Sequence, residues 1–193
     1  MDQDRKSKWN RIYSEGSQQG RPAAVLIDNV DLIPDQGHAC DIACGRGVNT
    51  LALARAGMKV DAWDISNVAI TALQQEAAEA GLEINASTVD ITPSCFAGKS
   101  YDLILNCHYL DRQLIPAMVG ACKPGGLILF QTFTEDKADT IGPRNREFLL
   151  ARDELPGMFS GFDILTYRDE SRNENAENPL TGRAYIIARK PQE

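Results

Sequence analysis

Residues 39–66 read A-C-D-I-A-C-G-R-G-V-N-T-L-A-L-A-R-A-G-M-K-V-D-A-W-D-I-S, the residue types a nucleotide-like ligand needs, in the order it needs them. A short apolar strand runs into a glycine turn, an alanine- and leucine-rich helix follows, and a second strand ends in an acid. Gly45 and Gly47 let the backbone turn tightly and approach a ligand with no Cβ in the way. Asp64, at the tip of the second strand, is positioned to accept two hydrogen bonds from a ribose diol.

Which nucleotide fits is decided by the details of the turn. The dinucleotide fingerprint is G-x-G-x-x-G/A, its third small residue allowing close helix–strand packing. Here that position is Thr50, so the match is incomplete. Asp41 stands inside a strand that should be a buried apolar run. A carboxylate there is costly unless a cation or hydrogen-bond donors meet it. A pyrophosphate is a poor partner for it and an ammonium a good one. S-adenosylmethionine offers an ammonium, a sulfonium and a ribose without phosphate, and is the cofactor these residues favour. Asp41 either holds that ammonium, directly or through water, or caps the backbone of the turn, and both roles are compatible.

The run D-I-A-C-G-R-G (41–47) resembles the first motif, D/E-x-G/A-x-G-x-G, of the class I S-adenosylmethionine-dependent methyltransferases. V-D-A-W-D-I-S (60–66) resembles their second motif, Val89-Asp90-Ile91 their third, and Lys123-Pro124-Gly125-Gly126 the turn before their fifth strand. The N-terminal Lys8-Trp9-Asn10-Arg11-Ile12-Tyr13, with Phe148-Leu149-Leu150 and Glu154-Leu155 downstream, is similar to the tellurite-resistance and thiopurine methyltransferase-like branch. Ala43 stands at the family's first glycine and Cys44 follows it. The resemblance implies a methyltransferase using S-adenosyl-L-methionine. Its cofactor set is Ala43, Gly45, Gly47 and Asn49 of the turn, Asp41, Asp64 with Ile65, and Asp90 at the adenine amino group with Ile91 on the ring. Trp9 and Tyr13 lie at helical spacing; they either pack a helix onto the body or, as in the thiopurine-type branch, cover the cofactor.

Asn106 to Arg112 (N-C-H-Y-L-D-R) follows a fourth strand and so faces the ligand side of an open α/β sheet. Asn106 is a candidate to offer its carbonyl to the ammonium. His108 lines an acceptor pocket or packs at the surface. Arg112 pairs with an anionic acceptor or with Asp111. His108 is the one nearby base for a hydroxyl acceptor; His108 and Arg112 form the catalytic set. Cys44 and Cys107 read as inert thiols.

The elements that position these residues alternate strand and helix, which calls for a doubly wound, mostly parallel sheet with helices on both faces. Strands are expected over 38–43, 59–64, 83–89, 101–107, 126–133, 162–168 and 183–189. Helices are expected over 49–56, from 66 or 67 to a stop at Gly81, from Pro116, and over 144–155. A polar loop over 173–181 joins the last two strands. The resemblance implies seven strands in a Rossmann-like sheet with an antiparallel last strand. A single domain is expected: a helical cover over 1–37 and the core over 38–193.

The chain has 193 residues and 43% hydrophobic content, enough for one core. No segment approaches the roughly 20 apolar residues of a membrane span, and no apolar signal stretch opens the chain. Five cysteines without a C-x-x-C pair read as reduced thiols, and no metal site is expected. A net charge of −7 disfavours nucleic acid. The expectation is therefore a cytoplasmic monomer or homodimer with a small-molecule methyl acceptor, a thiol, selenol or tellurium species being favoured. The alternatives are a protein that binds S-adenosylmethionine without turnover and a nicotinamide-dependent oxidoreductase.

Overall fold

Strands buried on both faces need unbroken apolar side chains, and the central segments of this chain supply them. In the computed structural model, which describes residues 3–16, 20–137, 141–175 and 177–192, the runs H-A-C-D-I and Y-D-L-I-L-N-C form β1 (His38–Ile42) and β4 (Tyr101–Cys107). They pair in parallel at the middle of a seven-stranded sheet of order β3-β2-β1-β4-β5-β7-β6. The other strands are β2 (Lys59–Asp64), β3 (Ile84–Thr88), β5 (Cys122–Phe133), β6 (Asp163–Asp169) and β7 (Arg183–Arg189). The pairings from β3 to β5 are parallel; β7 runs antiparallel between β5 and β6. The order of strands reverses between β1 and β4, where open α/β sheets bind ligands beyond the carboxyl ends of their strands.

Among the described residues six α-helices flank the sheet: α1 (Gln3–Ser14), α2 (Ala24–Ile27), α3 (Val48–Arg55), α4 (Asn67–Glu79), α5 (Ile115–Ala121) and α6 (Glu154–Met158). Alternation along the strands divides the apolar residues between two faces. Leu103, Leu105, Leu129 and Ile187 pack with Val25 of α2 and Leu53 of α3. Ile42, Ile104, Phe130 and Ile186 pack with Met118 of α5 and Leu155 of α6. Ser66 caps α4, its Oγ accepting from the Ala69 N–H at 3.2 Å. On β2, Asp61 is buried but satisfied: it accepts from the Tyr101 hydroxyl at 2.7 Å and from Asn85 at 2.8 Å.

Two expectations are corrected. The helix over 144–155 does not form. A single 3-10 turn spans Arg146–Phe148, Leu149 is extended, and α6 begins only at Glu154. The Leu150 N–H donates to Phe133 O at 2.9 Å and Leu150 O accepts from the Glu135 N–H at 2.9 Å, so the backbone is satisfied by the end of β5. That bridge leaves both leucines buried, at 6% and 1% exposure, without a helix. Secondly, β5 begins at Cys122 rather than at Gly126, with a register irregularity between Tyr101 and Leu103. Within the polar tract 173–181, Ala176 lies outside the described residues.

Candidate functional site

A cavity of about 320 Å³ opens at the carboxyl ends of β1, β2 and β4, beneath α1. Its floor is the turn that follows β1, where Ala43 (φ 53°), Gly45 (φ 56°) and Gly47 (φ 79°) all take left-handed backbone. A Cβ on Gly45 would stand 2.7 Å from the Tyr13 hydroxyl, so a side chain there would close the cavity against α1. Gly47 serves a different purpose. Its Cβ would meet Leu73 of α4 at 2.2 Å, so packing beside the turn requires a glycine here, which also lines the cavity.

Asp64 ends β2 on the cavity wall at 5% exposure. One carboxylate oxygen accepts from the Gly45 N–H at 2.8 Å and the other from the Ser66 N–H at 2.8 Å. The Ile65 N–H also acts on this carboxylate, which has about four lone-pair sites in all. Burial raises the Asp64 pKa, while those backbone donors act to lower it. Ile65, Val89 and Ile91 give the same wall an apolar surface, and Asn49 lines it while accepting from the Ala23 N–H at 2.8 Å. Asp90 faces the cavity and is already ion-paired with Arg5 of α1. Trp9 and Tyr13 stack at 5.8 Å between ring centres on the cavity side of α1. Burial, then the Asp64 carboxylate, pushes the Tyr13 pKa up, leaving it a neutral donor.

Three of the candidate residues do not line the cavity. Asp41 is buried behind the turn and accepts from the Thr50 hydroxyl at 2.6 Å, on the α3 side. Burial pushes its pKa up to about 7 against the pull of that hydrogen bond. Asn106 is embedded in the sheet between Ile42 and Phe130, and its side-chain oxygen has no partner among the described residues. Arg112 pairs with neither an open anion site nor Asp111. It grips Glu154 through two hydrogen bonds of 2.6 and 2.9 Å and donates to the Glu147 and Leu149 carbonyls at 2.6 and 2.9 Å. Its guanidinium is thereby consumed in holding the segment before α6.

His108 does line the cavity, with left-handed backbone (φ 61°) and its ring 5.2 Å from that of Phe133. Desolvation of the ring, and then the Arg183 guanidinium, lower its pKa to about 4 although the residue stays exposed where it lines the cavity, so the ring is neutral near pH 7. Its ring Nε2 lies 3.2 Å from the Gln131 amide nitrogen. Sequence reasoning missed Gln131, Arg5 and Tyr109, the last of which lines the cavity next to His108. The signal for Gln131 was present: a polar residue inside the buried run G-L-I-L-F-Q-T-F.

A family model described as "Tellurite resistance protein TehB" matches residues 8–178. The chain belongs to the TehB family. Relatives described as S-adenosylmethionine-dependent methyltransferases, and a solved TehB structure of the same fold, place it in the TehB-like branch. It is similar to the "Probable S-adenosyl-L-methionine-dependent methyltransferase TehB" of Haemophilus influenzae, 26% identical over 164 residues, or 78% of this chain and 56% of that protein. It is also similar to a "Ubiquinone biosynthesis O-methyltransferase" of Nitrosococcus oceani, 35% identical over 99 residues, or 48% of this chain and 42% of that protein. The chain thus spans about half the length of these TehB and ubiquinone-biosynthesis relatives. The crystal structure of TehB from Haemophilus influenzae shares the fold with a TM-score of 0.72 at 22% identity, covering 94% of this chain and 67% of that one. Among the described residues no helix is long and apolar enough to cross a membrane.

Proposed function

We propose that the cavity holds S-adenosylmethionine and that the chain transfers its methyl group to a small acceptor. The observation that carries this is Asp64: a buried carboxylate on the cavity wall, held by two backbone amides at 2.8 Å, with acceptor capacity left for a ribose diol. The space that a Cβ would fill above Gly45 and the apolar faces of Val89, Ile65 and Ile91 fit the same ligand. When bound, that cofactor supplies a methyl group already activated on a sulfonium.

The chain's residues then have to orient and exclude water. Asp64 accepts from the ribose hydroxyls, Ile91 and Val89 pack on the base, and Asp90 accepts from its amino group once Arg5 yields. Trp9 and Tyr13 cover the cavity from α1. His108 and Tyr109 border the end where an acceptor arrives. Aligning two reactants in this way contributes up to about 7–11 kcal/mol of barrier lowering. The acceptor proposed is a thiol, a selenol or a reduced tellurium species, because these ionise without a strong base. The ubiquinone-biosynthesis relative makes a hydroxyl the rival acceptor.

A radiolabelled-methyl screen over thiols, selenite or tellurite, phenols and bulk RNA tests this reading. Label in the thiol or chalcogen arms is expected. Label confined to phenols overturns the acceptor class, and label confined to RNA overturns the small-molecule reading.

A further inference from the structure

The orientation of one buried amide determines which nitrogen of His108 carries the proton. A backbone N–H can only donate, and that of Val25 in α2 donates to the Gln131 side-chain oxygen at 2.9 Å. Gln131 is 2% exposed, so turning its amide over would set N–H against N–H with no water to compensate. Its NH₂ end therefore faces the His108 Nε2 at 3.2 Å. An amide nitrogen donates and does not accept. The Nε2 must then be the acceptor, and a neutral imidazole with a bare Nε2 carries its proton on Nδ1.

Further contacts hold the ring in this state. The His108 N–H donates to the Gln131 carbonyl at 2.8 Å, so backbone and ring are tied to the same residue of β5. The Arg183 guanidinium stands 4.6 Å over the Phe133 ring against which His108 packs, and opposes a second positive charge. Asp64, Asp90, Arg5, Arg46, Tyr13 and Tyr109 are the other ionisable groups on the cavity wall near it, and Cys44 and Cys107 are high-pKa thiols. The ring pKa of about 4 agrees with the geometry. Among the described residues, Nδ1 has no protein partner.

We propose that His108 is a fixed hydrogen-bond donor, presenting Nδ1–H to the methyl acceptor, and not a general base, with Gln131 as the residue that positions its proton. Such a site selects an acceptor that arrives with a free lone pair or a negative charge, as a thiolate or selenolate does. A neutral hydroxyl would have to lose a proton, and neither nitrogen of His108 can take it. The acceptor class rests on the methyl-transfer reading; the tautomer does not.

Long-range ¹H–¹⁵N correlation spectra of histidine-labelled protein report the tautomer directly, without any ligand. The chain has two histidines, so a His38→Asn variant assigns the signals. His108 is expected as the Nδ1–H tautomer from pH 5 to 8. The Gln131→Glu variant keeps an acceptor for the Val25 N–H but offers a second carboxylate oxygen to Nε2. It is expected to move the proton to Nε2, raise the ring pKa by about one unit or more, and lower turnover of a thiol acceptor about tenfold with S-adenosylhomocysteine affinity unchanged. An Nε2–H tautomer in the parent, or a parent ring titrating between pH 6 and 7, overturns the proposal whatever the protein methylates. Failure of the methyl-transfer reading shows separately, as absent binding of S-adenosylhomocysteine with the tautomer as described.

Discussion

Thr50 stands where a dinucleotide fingerprint calls for a small residue, and its hydroxyl is what meets the buried Asp41 carboxylate at 2.6 Å. The two departures from a simple strand–turn–helix pattern are therefore one interaction. Its energetic signature is pH-dependent. Asp41 is held near pKa 7 against an ordinary value of 3.8, because burial favours the neutral acid. A raised folded-state pKa contributes stability that is fully present below the unfolded value and lost as pH rises through the folded one. The parent should thus lose stability between about pH 4 and 7 through this group, by up to about 1.4 kcal/mol per unit. Asp41→Asn keeps an acceptor for Thr50 and carries no charge. Thermal melts of both proteins at pH 5 and pH 8 should show the variant gaining on the parent at the higher pH. Parallel pH profiles would mean that Asp41 ionises freely, as it would with a cation beside it.

At the scale of elements, Arg112 acts as a clasp on the segment before α6. Four hydrogen bonds tie it to Glu154 and to the carbonyls of Glu147 and Leu149. The ion pair is partly exposed and worth little by itself, so the loss expected for Arg112→Ala is about 1–2 kcal/mol, mostly from the two carbonyl bonds. For a chain of this size that lowers Tm by a few degrees, roughly 2–8 °C. Affinity for S-adenosylhomocysteine should not change; a selective loss of affinity would bring Arg112 back to the cavity. The first helix is held differently. No residue of α1 is fully buried, Tyr13 being half-buried, and a twelve-residue helix is marginal alone. It is held by the Arg5–Asp90 pair and by Asn10, which bonds to Asn67 at 2.9 Å and to the Ser66 hydroxyl at 2.7 Å. Its amides are expected to exchange faster than those of β4 in the free protein and to slow on addition of S-adenosylhomocysteine. Equal protection with and without ligand would contradict a cover that closes on the cofactor.

These elements also show where sequence was readable. The strands β1 and β4 announce themselves as apolar runs, and Gly45 and Asp64 by their places at the ends of β1 and β2. The segment 144–155 does not, because Leu149-Leu150 suits a helix or an extended bridge equally. Its conformation is set by Phe133, Glu135 and Arg112, all distant in the chain. Asp41 carried the anomaly, and strand alternation turns it to α3, where Thr50 meets it. The tautomer of His108 was beyond reach, since it depends on Val25 and Gln131 meeting across 106 residues.

For the whole molecule, the glycine turn, the acid ending β2 and the segment after β4 come together at the switch point between β1 and β4. The central claim is that the cavity is built for S-adenosylmethionine through Asp64. Isothermal titration calorimetry of the parent and of Asp64→Asn, each with S-adenosylhomocysteine and with NAD, tests it most directly. Hydrogen bonds to a charged group contribute about 1.5–3 kcal/mol each. The parent is expected to bind S-adenosylhomocysteine more tightly than NAD, and Asp64→Asn to weaken that binding at least about tenfold with its circular dichroism spectrum intact. Tighter binding of NAD by the parent, or undiminished affinity in Asp64→Asn, would contradict the claim.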